Sequence, residues 1–129
     1  MEQAGATVAR VLVVDDNVSM AENIAEALVL EGYEADVVAS AEEALSAVFT
    51  RRVDVLVTDH RLPGITGTEL VERLRGAGKQ IQFVIISAHT DDATVLGALN
   101  SGASFFAKPL DLRHLARHLE RQKPTSSTR

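Results

Sequence analysis

Polar residues that could do chemistry stand at the ends of four apolar runs in this 129-residue sequence. Asp15 and Asp16 follow VARVLVV, Asp59 follows VDVLVT, Ser87 closes QFVIIS, and Lys108 follows ASFFA. A lone acid in such a place is most often a helix cap, but three acids brought together repel one another and raise each other's pKa values. Carboxylate oxygens without Cys or His suit a hard, octahedral cation, so Mg²⁺ is the predicted ion.

A lysine and a hydroxyl beside such an ion favour phosphoryl transfer. The Lys108 ammonium would supply a compact positive charge to a phosphoryl oxygen, and Ser87 would supply a hydroxyl donor. The metal and the ammonium together would offset charge on the equatorial oxygens of the transferred group. The sequence therefore predicts a magnesium-dependent phosphoryl-transfer site.

Five short apolar runs must position these residues. They are rich in Val, Ile and Phe, and three of them have the nearly continuous apolar character that is typical of strands covered on both faces. The runs span residues 8–14, 33–39, 53–58, 82–87 and 103–107, with helically spaced apolar residues between them. A strand–helix pair repeated five times predicts a parallel sheet with helices on both faces, and ligands at the carboxyl ends of its strands.

Capping signals indicate where the helices begin and end. Ser19, Ser40 and Thr66 each stand three residues before a Glu, which is the pattern of a capping box. Thr90-Asp91-Asp92 and Asp111 supply caps or first-turn acids for the other two helices. Helix stops are predicted at the glycines Gly32, Gly76, Gly78 and Gly102.

Length, composition and charge exclude several classes of protein. With 46% apolar and 24% charged residues the chain is not wholly disordered, and a formal net charge of −5 disfavours a general nucleic-acid-coating role. The lack of Cys excludes disulfides, thiolate catalysis and Cys-based zinc sites, and agrees with a reducing cytoplasm. No run reaches the roughly 20 apolar residues that cross a bilayer. We expect one cytoplasmic domain over residues 7–122, flexible ends at 1–6 and 123–129, and no signal peptide.

The sequence resembles the receiver domains of response regulators in two-component signalling, including the chemotaxis type. The resemblance rests on four blocks whose order and spacing match over about residues 8–122: VLVVDD, VLVTDHRLPGITG, VIISAH and GASFFAKPL. It implies a flavodoxin-like, three-layer α/β fold with five parallel strands in the order 2-1-3-4-5. It also implies a signalling switch rather than an enzyme, with Mg²⁺-dependent self-phosphorylation and self-dephosphorylation as its only chemistry.

The resemblance also implies roles for individual residues. It makes Asp59 the acceptor of a phosphoryl group from a histidine kinase or a histidine phosphotransfer protein. Lys108 would pair with the phosphoryl group, and the bond from Lys108 to Pro109 would be cis, which is true of only about 5–6% of X–Pro bonds in folded proteins. The protein ligands of Mg²⁺, with Mn²⁺ as the alternative ion, would be Asp15, Asp16, Asp59 and the backbone carbonyl of Arg61.

Ser87 and Phe105 match the switch residues of the family. After phosphorylation Ser87 would move toward the acyl phosphate and Phe105 would rotate into the space that opens, which biases a pre-existing two-state equilibrium. The surface that changes, and binds a downstream protein, would be formed by the fourth helix, the fifth strand and the fifth helix. Plain core packing is the alternative for Phe105, whereas Phe106 is predicted to point into the core on the opposite face.

Arg61, His89 and His60 admit more than one interpretation. Arg61 lies two residues past Asp59, and His89 lies two past Ser87. From there both side chains could crowd the in-line path or pair with phosphoryl oxygens, and so set the lifetime of the phosphate; simple exposure is the alternative. His60 is not needed as a base, because a carboxylate is already deprotonated at neutral pH. We therefore interpret His60 as a solvated loop histidine.

The last helix carries a run of cationic and imidazole side chains opposite its Leu stripe: Arg113, His114, Arg117, His118 and Arg121. A solvated face is the simpler interpretation, and a docking patch for an acidic partner or the start of a linker is the alternative. Nothing in the run resembles a helix-turn-helix. The expected partners are therefore proteins, without direct nucleic-acid binding or membrane contact, and the expected state is a monomer or a weak homodimer.

Two other functions are disfavoured by the same residues. A mononucleotide binder of this fold would need a phosphate loop after the first strand, where Asp15 and Asp16 would repel the phosphate. A receiver that only binds partners would have lost its acceptor, acids, hydroxyl or lysine, and all of these are present. The sequence leaves open the cognate kinase, the output, the phosphate lifetime, and whether the domain stands alone or belongs to a larger protein.

Overall fold

The computed structural model describes residues 8–122, with side chains as far as Glu120. Within that range, strands and helices alternate. The predicted flexible ends, 1–6 and 123–129, lie outside the described residues. In chain order the elements are β1 (Arg10–Val14), α1 (Val18–Leu30), β2 (Glu34–Val38), α2 (Ala41–Thr50), β3 (Val55–Asp59), α3 (Gly67–Gly76), β4 (Gln82–Ser87), α4 (Asp92–Asn100), β5 (Ser104–Ala107) and α5 (Leu112–Gln122).

The strands form one parallel sheet in the order β2-β1-β3-β4-β5. Val13 of β1 pairs with Val37 on one side and with Val57 on the other, so β1 and β3 are interior strands in register. Strand order reverses between β1 and β3, and the carboxyl ends of these two strands flank the crevice where ligands bind in such sheets. The predicted flavodoxin-like fold is confirmed, and each strand begins and ends within two residues of its predicted run.

Each face of the sheet has its own buried cluster. Helices α1 and α5 cover one face, through residues such as Leu115, and we name it the α1/α5 face. Helices α2, α3 and α4 cover the other, through residues such as Leu70, and we name it the α2/α3/α4 face. Successive residues of β3 alternate between them, with Val57 in the first cluster and Leu56 in the second. The strands are continuously apolar because both of their faces are buried.

Local capping agrees with the predicted helix starts except at α1. Thr66 and Glu69 form the predicted capping box at α3, and Ser40 accepts from the Glu43 amide at 3.1 Å to cap α2. Helix α1 begins earlier than predicted, because the Asn17 side chain accepts from the Met20 amide and serves as its N-cap. The prediction that Ser19 caps α1 is therefore wrong. Asn is as good a cap as Ser, and a cap at position 17 starts the helix two residues earlier than a cap at position 19 would.

Helix α5 corrects a second prediction. The rings of His114 and His118 make T-shaped contacts with the ring of Phe106, with centroids 5.1 and 5.2 Å apart, so they lie at the border of the buried face rather than opposite it. His114 is exposed, as expected for a solvated face, and only His118 is partly buried. Arg113 and Arg117 are exposed, as expected for a solvated face, and the side chain of Arg121 lies outside the described part. The imidazoles therefore flank the core. Among residues 8–122, none of the helices combines the length and apolar character needed to cross a bilayer.

Candidate functional site

The sheet brings the predicted site residues to one edge. Asp15 and Asp16 directly follow β1, Asp59 is the last residue of β3, and Ser87 is the last residue of β4. Lys108 follows β5. Because all five strands are parallel, their carboxyl ends meet at the same edge, and the alternation of strands and helices alone explains this convergence.

Three carboxylates lie close together at this edge. One oxygen from each of Asp15, Asp16 and Asp59 lies within 4.8 Å of the others. Asp15 is almost fully buried, and its Oδ1 accepts a hydrogen bond of 2.9 Å from the Asn17 amide. Burial raises the pKa of Asp15, and the charges of Asp59 and Asp16 raise it further against the opposing effects of the Asn17 amide and Lys108. The cluster is therefore electrostatically unfavourable when all three groups are ionised.

Lys108 forms an ion pair with Asp59, the last residue of β3. Its Nζ lies 2.8 Å from Asp59 Oδ1, and both side chains are largely buried, with 24% and 11% of their surface exposed. The Lys108 amide donates to the Ser87 carbonyl at 2.9 Å, which extends the β4–β5 ladder and fixes the start of the lysine side chain. The Lys108–Pro109 peptide bond is cis, as predicted.

Ser87 is buried at the end of β4 and points its hydroxyl toward the following loop. Its Oγ accepts a hydrogen bond of 2.9 Å from the His89 amide. The His89 side chain is exposed, and at the end of the same loop hydrogen bonds with Thr94 lower the pKa of Asp91. The hydroxyl is therefore held by a backbone group of the loop that leads into α4.

The loop after Asp59 turns back sharply on the strand. The Gly67 amide donates to the His60 carbonyl at 2.7 Å, and Arg61 pairs with Thr66 in an isolated antiparallel bridge. A Cβ on Gly67 would lie 2.5 Å from the Asp59 carbonyl oxygen, so only glycine fits there without displacing the strand end. The Arg61 side chain is exposed. Sequence reasoning missed Gly67, since a Thr-Gly pair before a helix carries no signal of close approach.

His60 differs from the prediction of a solvated loop residue. It is only partly exposed, and its Nδ1 atom is buried. Along β3, side chains alternate between the two faces, so His60 lies on the face opposite to that of Asp59. The reason for the error is that the ladder continues past the strand: the His60 amide still donates to the Ile86 carbonyl, at 2.8 Å. His60 therefore belongs to the sheet edge rather than to a free loop.

The two adjacent phenylalanines of β5 face opposite ways. Phe106 is buried in the cluster of the α1/α5 face, as predicted. Phe105 is partly exposed and packs against the cluster of the α2/α3/α4 face, beside its β4 neighbour Ile85. Phe105 thus lies on the same face as Ser87, two residues before the end of its strand.

This arrangement can hold a hard cation and a phosphoryl group side by side. Oxygen-only donors, two of them largely buried, are the ligand set that Mg²⁺ prefers, and the ion would relieve the repulsion that raises the pKa of Asp15. Lys108 already contacts Asp59, so a group bonded to that carboxylate would lie within reach of an ammonium. The site therefore has the components of phosphoryl transfer to a carboxylate.

Comparisons with known proteins identify the family to which the chain is similar. The model of the response regulator receiver domain family matches residues 11–120. The chain is 36% identical over 107 residues to the DNA-binding response regulator MtrA of Mycobacterium tuberculosis, which covers 82% of this chain and 46% of that protein. It is 31% identical over 120 residues to the response regulator MprA of the same species, covering 89% of this chain and 52% of that protein. The chain thus spans about half the length of these relatives.

Solved structures show the same architecture over nearly the whole domain. A CheY-like receiver domain protein from Methanospirillum hungatei is 26% identical with a TM-score of 0.84, covering 90% of this chain and 94% of that one. The chemotaxis response regulator CheY4 of Vibrio cholerae is 30% identical with a TM-score of 0.80, covering 89% and 98%. By its sequence match and its fold, this chain belongs to the response regulator receiver domain family.

Proposed function

We propose that this receiver domain is a phosphorelay switch in which Asp59 accepts a phosphoryl group from a histidine kinase or a histidine phosphotransfer protein. The observation that carries the proposal is the position of Asp59, which clusters with the carboxylates of Asp15 and Asp16 and also contacts the ammonium of Lys108. An ionised carboxylate there is a nucleophile that attacks the phosphohistidine phosphorus in line. The leaving imidazole departs on the opposite side, and an acyl phosphate forms on Asp59.

The acidic cluster is the proposed site for Mg²⁺, with Mn²⁺ as the alternative. Asp15, Asp16 and Asp59 would hold the ion through their carboxylates, and Arg61 would add its backbone carbonyl. Bound there, the ion supplies positive charge that offsets the developing charge on the phosphoryl oxygens. The fit rests on the oxygen-only donor set and on the raised pKa of Asp15, which marks a group whose ionised form lacks compensation.

Lys108 and Ser87 act on the phosphoryl group from the protein side. Lys108 lies 2.8 Å from Asp59 Oδ1 and would transfer this contact to a phosphoryl oxygen, since an ammonium follows the larger negative charge. Ser87 would exchange its hydrogen bond with the His89 amide for one to the same group. Both contacts form only when Asp59 carries a phosphoryl group, so they couple phosphorylation to local structure.

The proposed output is a change on the face formed by α4, β5 and α5. Phe105 lies on β5, on the same side of the sheet as Ser87, and would rotate inward when Ser87 moves. Two large apolar side chains of α4, Leu96 and Leu99, are 57% and 50% exposed and one helical turn apart, which suits a protein partner. We propose that a downstream protein binds there after phosphorylation.

The mycobacterial relatives include a DNA-binding regulator, but the present chain spans only about half of such a protein. We propose that this part of the chain binds proteins rather than DNA, because its net charge is −5 and its last helix uses its apolar side for the core. A stand-alone regulator and a receiver within a larger regulator or hybrid kinase are both compatible with this role.

Phosphorylation by a small phosphodonor tests the proposal. The protein incubated with acetyl phosphate and Mg²⁺ should gain the mass of one phosphoryl group, and the gain should disappear in Asp59→Asn. Asp36→Asn is the matched control, since Asp36 is an exposed acid of the edge strand β2 and should leave the adduct intact. An undiminished adduct on Asp59→Asn, or none on the unsubstituted protein, would refute the acceptor assignment.

We further propose that Arg61 and His89 set the lifetime of the phosphate. Both side chains are exposed, on the loops that follow β3 and β4, from which they can screen or admit the hydrolytic water. Alanine at either position should change the dephosphorylation rate several-fold, while Arg51→Ala, at the end of α2, should not. Rates that stay unchanged in both variants would reject this role.

A further inference from the structure

His60 has a buried polar atom that none of the roles above uses. Its Nδ1 is buried and has no hydrogen-bond partner among residues 8–122, although His60 directly follows Asp59. Buried polar side-chain atoms are nearly always hydrogen-bonded, and an exception calls for a physical explanation. With the imidazole proton on Nε2, Nδ1 is an unpaired acceptor that a neighbouring donor would satisfy.

The sheet register places Ser87 next to His60. Asp59 pairs with Ile86 in the β3–β4 ladder, and the His60 amide donates to the Ile86 carbonyl at 2.8 Å. One residue further along each strand, His60 and Ser87 are therefore neighbours. Adjacent strands lie about 4.8 Å apart, which is within reach of side chains that share a face.

The two side chains do share a face. Leu56, four residues before His60, belongs to the cluster of the α2/α3/α4 face, and so does Ile85, two residues before Ser87. Because side chains alternate along a strand, His60 and Ser87 point to that same side. Phe105, the proposed switch aromatic, packs against the same cluster.

The Ser87 hydroxyl is a donor in need of an acceptor. Its oxygen accepts from the His89 amide at 2.9 Å, yet within the described range its own proton is donated to no group. Ser87 is 2% exposed, so bulk water does not compensate. A hydroxyl carries one proton to donate, and a neutral imidazole with its proton on Nε2 offers Nδ1 as an acceptor. The unused donor and the unused acceptor are thus complementary neighbours.

We propose that His60 is a positioning residue for the switch, whose Nδ1 accepts the Ser87 hydroxyl proton in the unphosphorylated state after rotation of the two side chains. The inference rests on the proposed function, because the competing acceptor is the phosphoryl group on Asp59. The Ser87 hydroxyl can donate either to His60 Nδ1 or to the phosphoryl group, so the bond to His60 stabilises the unswitched state. Loss of the Nδ1 acceptor should shift the equilibrium toward the switched state about fivefold, the equivalent of one neutral hydrogen bond.

Two amide substitutions separate the acceptor from the bulk of the ring. His60→Asn places an amide oxygen where Nδ1 lies, whereas His60→Gln places its amide where Nε2 lies. Calorimetric titration with the phosphoryl analogue BeF₃⁻ in saturating Mg²⁺ measures the coupling, since a bias toward the switched state tightens apparent affinity. His60→Gln and His60→Leu should bind about fivefold more tightly than the unsubstituted protein, and His60→Asn should match it. Equal affinities of the Asn and Gln variants would overturn the inference.

The His89 amide reports the same event independently. Its NMR chemical shift should move when Ser87 leaves it, and at a fixed BeF₃⁻ concentration it should move further in His60→Gln than in His60→Asn. In a Ser87→Ala background the affinity difference between these two variants should vanish, and a persisting difference would contradict a role through Ser87. Absence of BeF₃⁻ binding to the unsubstituted protein would refute the proposed function itself. Equal binding by all variants would refute only the role of His60.

Discussion

The two edges of the sheet treat charge in opposite ways. At the amino ends of the strands, Arg10 pairs with Glu34 at 3.0 Å and Arg52 pairs with Asp54 at 3.6 Å, so each acid has a base. At the carboxyl ends, within the described part of the chain, three clustered carboxylates have one paired ammonium, that of Lys108. The acidic charges at the amino edge are neutralised by the protein's own arginines, whereas those at the carboxyl edge are neutralised only in part.

The difference separates charge that serves the fold from charge that serves a ligand. The amino-edge pair of Arg10 and Glu34 is 41% and 55% exposed, and such pairs contribute little to stability. At the carboxyl edge Asp15 is almost fully buried with a raised pKa, so its ionised form opposes folding. A protein retains such repulsion where a cation or a reacting group offsets it, as expected of a functional site.

Of the substitutions that test this difference between the two edges, that of Asp15 should have the largest effect. Asp15→Asn removes one proposed ligand and one repelling charge, so Mg²⁺ affinity should fall about a hundredfold, or about 2.7 kcal/mol. The same variant should be more stable than the unsubstituted protein when Mg²⁺ is absent, because a buried carboxylate has been neutralised. Thermal unfolding with and without Mg²⁺ measures both effects. Unchanged affinity would remove Asp15 from the ion site.

Substitution of Gly67 tests how tightly the fold holds the carboxyl edge. Gly67→Ala forces a Cβ against the Asp59 carbonyl and should destabilise the protein by about 1–3 kcal/mol, the usual range for overpacking. Gly97→Ala is the matched control, since Gly97 lies inside α4 with nothing within 4 Å of its added Cβ, and it should stabilise by about 0.5–1 kcal/mol. Denaturant unfolding compares them. Similar stabilities would show that the close approach at Gly67 is easily relieved.

The pH dependence of stability without Mg²⁺ should show a smaller effect of the same cluster. Because the folded pKa of Asp15 is raised, its contribution favours folding below the ordinary value of 3.8 and is lost as pH rises through the raised pKa. The exposed Asp91 has a lowered pKa, so its contribution is lost as pH falls below 3.8. Unfolding curves in EDTA should therefore differ between Asp15→Asn and the unsubstituted protein above pH 3.8. Parallel pH profiles would contradict the raised pKa.

The smallest effect is expected at the amino edge. Glu34→Gln breaks an exposed ion pair with Arg10 and should change stability by only about 0.2–1 kcal/mol, in a salt-dependent way. It should leave Mg²⁺ affinity and phosphorylation unchanged. Denaturant unfolding at low and high salt, with the adduct mass as a second reading, measures this. A loss of Mg²⁺ affinity comparable to that of Asp15→Asn would erase the distinction between the two edges.

The strand–helix alternation and the convergence of the acids could be predicted from sequence because both follow from pattern and topology. Parallel strands place their carboxyl ends together whatever their exact limits, so errors of two residues did not affect the predicted cluster. By contrast, the predicted start of α1 was wrong, because Asn17 and Ser19 are both good caps and only the backbone path decides between them.

The errors at the histidines have a different cause. Whether His60 continues the sheet depends on the loop to Gly67, whose close approach to Asp59 carries no sequence signal. His114 and His118 fall on the border of the α5 apolar stripe, where both contact the ring of Phe106; His118 is partly buried there, whereas His114 stays exposed. Amphipathic side chains at such a border are assigned by their neighbours in space rather than by helical spacing.

Trapping the acyl phosphate at its residue tests the central claim most directly. Borohydride reduces an aspartyl phosphate to homoserine, so the protein treated with acetyl phosphate and then with borohydride can be digested and mapped by mass spectrometry. We predict homoserine at position 59, formed with Mg²⁺ and absent in EDTA. Homoserine at another aspartate, or the same yield at position 59 without a divalent ion, would contradict a phosphoacceptor that depends on the unbalanced carboxyl edge.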